Sequence, residues 1–318
     1  MLHPPPELDI VRRRERVDAL DNRRLRRALE DGSWTRIVVG AFVRTAEWTA
    51  LRPIEQHRVR VYEVARRLTS PTVFAYHAAA ATWDVDILGP WPLTVDVVSA
   101  AAGGGRRGGT VRRHARELAT VETLPFIGGH RITTAAQTVL DLARTEDFVH
   151  AVAVVDQLLW IDRPGGQMAS RDALLDRASA DSGRRGDVRA RRAIAFGESR
   201  AANVRESQSR VVVMQLGFPT PQLQKGLLLP SGREAFADLW FPAQEHWCEI
   251  DGRWKYSDPR FLAGRTPAQA LLDEKNRENE IRRNVRAFSR WEATDADHPR
   301  RIWDILTSAG LPTPIRRP

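Results

Sequence analysis

Cysteine, lysine and long apolar runs are scarce in this sequence. One cysteine, Cys248, in 318 residues leaves no partner for an internal disulfide and excludes a cysteine-rich zinc module. No window comes near the ~20 apolar residues of a membrane span. The start, MLHPPPELDIVRRRERVDAL, is arginine-rich without the apolar stretch of a signal peptide. These absences lead us to expect a soluble protein of the cytoplasm. Lysine occurs only as Lys225, Lys255 and Lys275; every other basic residue among the 49 Lys+Arg is arginine. Arginine keeps its proton at any workable pH, whereas lysine can act as a base or as a compact charge beside a phosphate. All three lysines lie in the last third of the chain, either for chemistry or by chance.

What is present points to a polyanion. Against 40 Asp+Glu the formal net charge is +9, which favours nucleic acid through counterion release; an arginine-rich composition without a binding role is the plainer alternative. At 318 residues and 42% hydrophobic content the chain can bury more than one core. Residues 1–16 read as a disordered tail. A basic amphipathic helix is predicted over 17–30, with Arg23, Arg24, Arg26 and Arg27 as candidate nucleic-acid contacts. WTRIVVGAFVR then reads as two short strands bent at Gly40. Helix followed by hairpin over 17–53 is the pattern of a winged-helix DNA-binding unit, or equally of a solvated helix packed on a hairpin. Residues 54–178 form a mainly helical middle domain, with helices predicted over 54–68, 73–83 and 132–144, a strand over 93–99, and GGGRRGG at 103–109 as a basic loop tip. His77, inside the second helix, reads as a core or capping residue. Polarity and glycine rise together around SADSGRRGD, so 179–197 is taken as a linker.

The last part, 198–310, carries the chemistry. A helix over 198–216 bears Glu206, and strands over 222–229 and 233–241 form a hairpin in which Asp238 shares a face with Phe236 and Trp240. In WCEIDGRWKY, alternation puts Trp247, Glu249 and Asp251 on one side and Cys248 and Ile250 on the other. Adjacent carboxylates repel unless something positive lies between them. Mg²⁺ or Mn²⁺ suits hard oxygen ligands and phosphodiester hydrolysis, with Asp238 and Glu249 as metal ligands. The following helix, PAQALLDEKNRENEIRR, places Leu271, Lys275 and Glu278 on one face with Arg277 as neighbour. A final strand covers 285–291. His246 falls on the Cys248 side and reads as structural; the tryptophans read as core or as base-stacking platforms.

ESQSRVVVMQLGFPTPQLQ, FADLWFP, EIDGRWKY and DEKNRENEIRRN resemble the PD-(D/E)XK endonuclease-like domain related to very-short-patch repair nucleases. The resemblance implies a restriction-endonuclease-like α-β-β-β-α-β domain with metal at Asp238 and Glu249 and an auxiliary acid at Glu206. Asp251 stands where the motif's usual lysine would, so that role passes to Lys275 or Lys255. EDGSWTRIVVGAFVR, AYHAAAATWDV and RITTAAQTVLDLAR resemble AbiEi-type antitoxin proteins over 18–195, which implies a winged helix and transcriptional regulation. Together these give a multi-domain α/β protein with a short tail at 311–318. Two functions follow as expectations. The first is a Mg²⁺-dependent DNA endonuclease or nickase using Asp238, Glu249, Lys275, Glu206 and Asp251, with Lys255 and Arg277 also contacting DNA. The alternative is a non-catalytic DNA-binding regulator or antitoxin, whose partners are an operator or a toxin.

Overall fold

The computed structural model describes residues 1–13, 19–100, 109–251 and 266–318. It is mixed α/β and divides into two compact units. Met1–Leu158 with Met168–Ala195 forms the first, and Leu159–Gln167 with Phe196–Pro318 the second.

The first unit begins with a strand, not a loose tail: β1 (Val11–Arg12) joins β2 (Trp34–Val38) and β3 (Ala41–Arg44) in the order β1-β3-β2. Earlier still, the His3 amide donates to the Thr82 carbonyl, and the Tyr62 hydroxyl donates to the His3 carbonyl. Paired backbone groups hold a proline-rich segment that has little apolar surface of its own. Helix α1 (Ala19–Glu30) precedes this hairpin as expected, and Gly40 makes its turn at φ +77°. Then come α2 (Thr45–Ala50) and α3 (Pro53–Ala65), with Pro53 in the first turn, where its missing N–H costs nothing.

The middle region is less helical than its sequence suggests. Strands β4 (Val73–Phe74), β5 (Val95–Ser99), β6 (Val111–Ala115), β7 (Thr123–Pro125) and β8 (Arg131–Thr133) make a sheet in the order β6-β5-β4-β8-β7. The helix predicted over 73–83 is therefore split. Val73 and Phe74 pair with Val98 and Val97, Tyr76 takes φ +50°, and only α4 (Tyr76–Thr82) is helical. Two- and three-residue strands carry too few alternations to leave a period in the sequence. Most of the GGGRRGG loop lies outside the described residues. Helix α5 (Ala135–Thr145) starts where the threonines suggested, with the Thr134 side chain accepting from the Gln137 amide. Helix α6 (Phe148–Leu159) follows.

The supposed linker is mostly structured. Helix α7 (Arg171–Ala180) and helix α8 (Asp187–Phe196) flank a turn whose acids are tied to buried arginines. Arg144 donates to Asp181 at 2.6 Å and to Asp187 at 2.7 Å, and Arg116 donates to Asp141 and Asp181 at 2.7–2.9 Å. Polar composition here reflects ion pairing rather than solvation.

The second unit is a three-layer sandwich. Its sheet, β12-β11-β10-β9, comprises β9 (Gln222–Leu228), β10 (Glu234–Phe241), β11 (His246–Asp251) and β12 (Ala287–Glu292). β9, β10 and β11 are antiparallel, and β12 runs parallel to β11. Helix α9 (Val204–Gln215) and helix α11 (Pro299–Ser308) cover one face, burying Val212, Val213, Ile302 and Leu306 against Leu239, Phe241, Cys248 and Ile250. Helix α10 (Pro267–Asn284) covers the other, with Ile281 against Ala235, Ala237 and Trp247. Each fully buried large apolar side chain contributes about 1.5–3 kcal/mol. The expected helix, three antiparallel strands, helix and strand are all present, and α11 adds a further helix.

Candidate functional site

β11 brings Glu249 to the face covered by α10, beside Trp247, as alternation requires. There it is buried and surrounded by cations. Arg277 Nη2 reaches both carboxylate oxygens at 2.9 and 3.0 Å, Arg290 Nη2 donates to Oε2 at 2.8 Å, and Trp247 Nε1 donates to Oε1 at 3.2 Å. The same two arginines hold Glu274, at 2.6 Å from Arg290 and 2.8–3.0 Å from Arg277. Arg290 also donates to Glu278 at 2.6 Å, and its Nε lies 2.9 Å from Asp251 Oδ2. Four acids thus share two inward guanidinia, an arrangement suited to arginine's fixed fork of donors.

The electrostatics follow from those contacts. Hydrogen bonds from Arg277, helped by Arg290 and opposed by burial, pull Glu274 down to about 2. The Glu274 and Glu249 carboxylates raise Arg277 above its ordinary value. Arg290 is raised as well: its burial opposes the shift, and Glu274, Glu249 and Asp251 outweigh that cost.

Asp238 has a different setting. The ladder between β10 and β11 runs from Phe241↔His246 to Leu239↔Cys248. At the next level the Asp238 carboxylate accepts the Ile250 amide at 2.6 Å, taking the place of a strand carbonyl where the two strands splay. On β9 the residue opposite, Gln224, adopts φ +51°. Its amide reaches Glu206 at 3.5 Å. Glu206 is buried at the start of α9, where it accepts from the Ala202 amide and from the Asn203 side chain while Asn203 caps the helix. Burial, with Asp238 adding to it, pushes the Cys248 thiol well up, so this cysteine is an inert core residue.

The expected residues therefore divide. Asp238 lies on the Ile250 amide in the sheet plane and Glu206 at the start of α9; Glu249, Asp251 and Arg277 belong to the α10 side. Arg277, expected on DNA, is turned inward to carboxylates. Lys275 is exposed, about 100° round α10 from Glu274, and its neighbours at Leu271 and Leu272 face solvent too. Lys255 and Trp254 lie outside the described residues. Among the described residues, no three of His, Cys, Asp and Glu are grouped as a metal cage requires. With both Glu249 oxygens engaged by guanidinium, this donor set does not fit a divalent cation as it stands. His246 is buried, bonded through Nε2 to Ser289 at 2.8 Å and pushed down to about 4 by burial. Arg290 and Glu274 were missed by sequence reasoning; the i, i+3 spacing of Glu274 and Arg277 on α10 was the available signal.

In the first unit, α1 buries Leu25 and exposes Arg23, Arg24, Arg26 and Arg27. Arg26 pairs with Glu30 at 3.2 Å. Among the described residues, no carboxylate pairs with Arg23, Arg24 or Arg27.

No family model matches the chain. It is 32% identical over 151 residues to two proteins of Mycobacterium tuberculosis, "Uncharacterized protein Rv2248" of strain H37Rv and "Uncharacterized protein MT2308" of strain CDC 1551. The match covers 48% of this chain and 51% of each relative, so the chain spans about half the length of the curated relatives it matches.

Proposed function

We propose that this chain binds duplex DNA without cutting it, as a regulator or antitoxin whose nuclease-like second unit serves as a platform. The observation that carries this reading is the pair of guanidinium groups on Glu249, the acid on which metal chemistry would depend. Removing such groups from a buried carboxylate is costly. The exposed arginines of α1 supply the complementary feature, a cationic helix face beside a hairpin.

A gel shift and a plasmid-nicking assay on the same preparation test this. Retardation that weakens steeply with salt, and no nicking with Mg²⁺ or Mn²⁺, is the expected pair of results. Metal-dependent nicking that disappears in Asp238→Ala and Glu249→Ala overturns it.

The endonuclease reading keeps one specific support. Asp238 accepts the amide next to Glu249 in sequence, at the splayed end of the same two strands. That nicking result is its signature, and Arg290→Ala is the variant in which it should be strongest.

A further inference from the structure

The first unit contains a polar cluster that DNA binding does not use. Asp96, on β5, is fully buried and accepts four hydrogen bonds. Arg112 donates Nε to Oδ1 and Nη2 to Oδ2, His114 Nε2 lies 2.8 Å from Oδ1, and His77 Nδ1 lies 3.1 Å from Oδ2. These contacts fix the His77 tautomer. An unprotonated Nδ1 would set a lone pair against a buried carboxylate, so in the neutral imidazole Nδ1 carries the proton and Nε2 is the acceptor. Arg112 Nη2, 3.4 Å from the same nitrogen, is already committed to Asp96.

His77 and Glu146 line a cavity of about 230 Å³, with His77 Nε2 3.7 Å from Glu146 Oε1. At that separation they do not hydrogen-bond to each other, and among the described residues neither atom has a hydrogen bond. His150, also on the cavity wall, has Nδ1 2.9 Å from Asp147 Oδ1. Arg112 acts on Glu146 only through space. The remaining wall is largely apolar, with Ile87, Leu88, Leu142 and Val154. At ~30 Å³ per water in the liquid, the space holds far more than a bare metal ion.

We propose that this cavity binds a small organic ammonium ion. Its N–H groups bridge His77 Nε2 and Glu146 Oε1, and its apolar body lies against Ile87 and Leu88. The site stands independently of the DNA-binding reading.

Titration calorimetry of the full chain with benzylamine, its neutral isostere benzyl alcohol, and Zn²⁺ tests the proposal. Benzylamine should bind one to one, with the alcohol at least about tenfold weaker, equivalent to about 1.4 kcal/mol. Glu146→Gln, at a partly exposed position away from Asp96, should weaken the amine about tenfold. Ile87→Trp should block it by filling the apolar wall while the polar edge remains. Equal binding of amine and alcohol, or amine binding unchanged in both variants, overturns the proposal. So does Zn²⁺ binding that needs Glu146 while benzylamine fails to bind.

Discussion

The two units use the same chemistry, arginine against carboxylate, at different depths. In the first, Arg116, Arg144, Asp141 and Asp181 are all buried, and they tie the turn between α7 and α8 to α5 and the end of β6. In the second, Arg277 and Arg290 keep about a quarter of their side chains exposed while holding Glu249 and Glu274. A fully buried network leaves an uncompensated charge when one member is lost, and so acts as a fixed clasp. A network at the rim can admit water to the vacated place. Depth, rather than residue type, separates a structural clasp from a candidate site.

The largest effect should come from breaking the deep network. Arg144→Ala takes one of the two buried guanidinium groups from Asp181 and the guanidinium from Asp187 and should cost about 3–5 kcal/mol, read as a large drop in melting temperature by calorimetry. Gly186→Ala should follow. Gly186 sits at φ +91°, and an added Cβ would lie 2.2 Å from the Arg144 carbonyl oxygen. Strain and overpacking together should cost about 1–3 kcal/mol or more, measured by urea unfolding. In the rim network, Arg290→Ala should cost less than Arg144→Ala, because water can reach the place left by a side chain 22% exposed but not that left by one 2% exposed. Equal losses for the two arginines would remove the distinction of depth.

Acid sharpens the comparison. Glu274 is held at about 2 against an ordinary 4.5. Its folded value is depressed, so its stabilisation is present above pH 4.5 and is lost as the pH falls through about 2. Glu274→Gln should flatten that part of an acid-unfolding curve. The smallest effect on folding belongs to the exposed helix face. Replacing Arg23, Arg24 and Arg27 by serine should leave melting nearly unchanged. The same triple variant should make the salt dependence of DNA binding shallower, by about 0.9 for each phosphate that is no longer neutralised.

The second unit was the more legible one. Strands of six to eight residues such as β10 and β11 show alternation, so Glu249 and Asp251 could be assigned to one face and His246 to the other. The start of α10 at Pro267 was equally readable, whereas α9 begins at Val204, six residues later than the periodicity suggested, where Asn203 caps it. In the first unit β2, β3 and β5 were legible, but the two- and three-residue strands β1, β4, β7 and β8 were not. Nor could the sequence distinguish a polar turn exposed to water from one whose Asp181 and Asp187 meet an arginine 37 and 43 residues away. At the candidate site, periodicity gave the face of Glu249 but not its partner: Arg290 comes from a parallel neighbour strand 41 residues on.

By itself the sequence determined the mixed α/β class, the basic helix before a hairpin, and the helix and strand order from α9 to β12. These follow from local periodicity and capping, which act over a few residues. Only the tertiary structure decided which charges meet: guanidinium groups on Glu249, and two histidines and an arginine around Asp96. Ion pairing depends on distance in space, and that is set by how the sheets and helices pack.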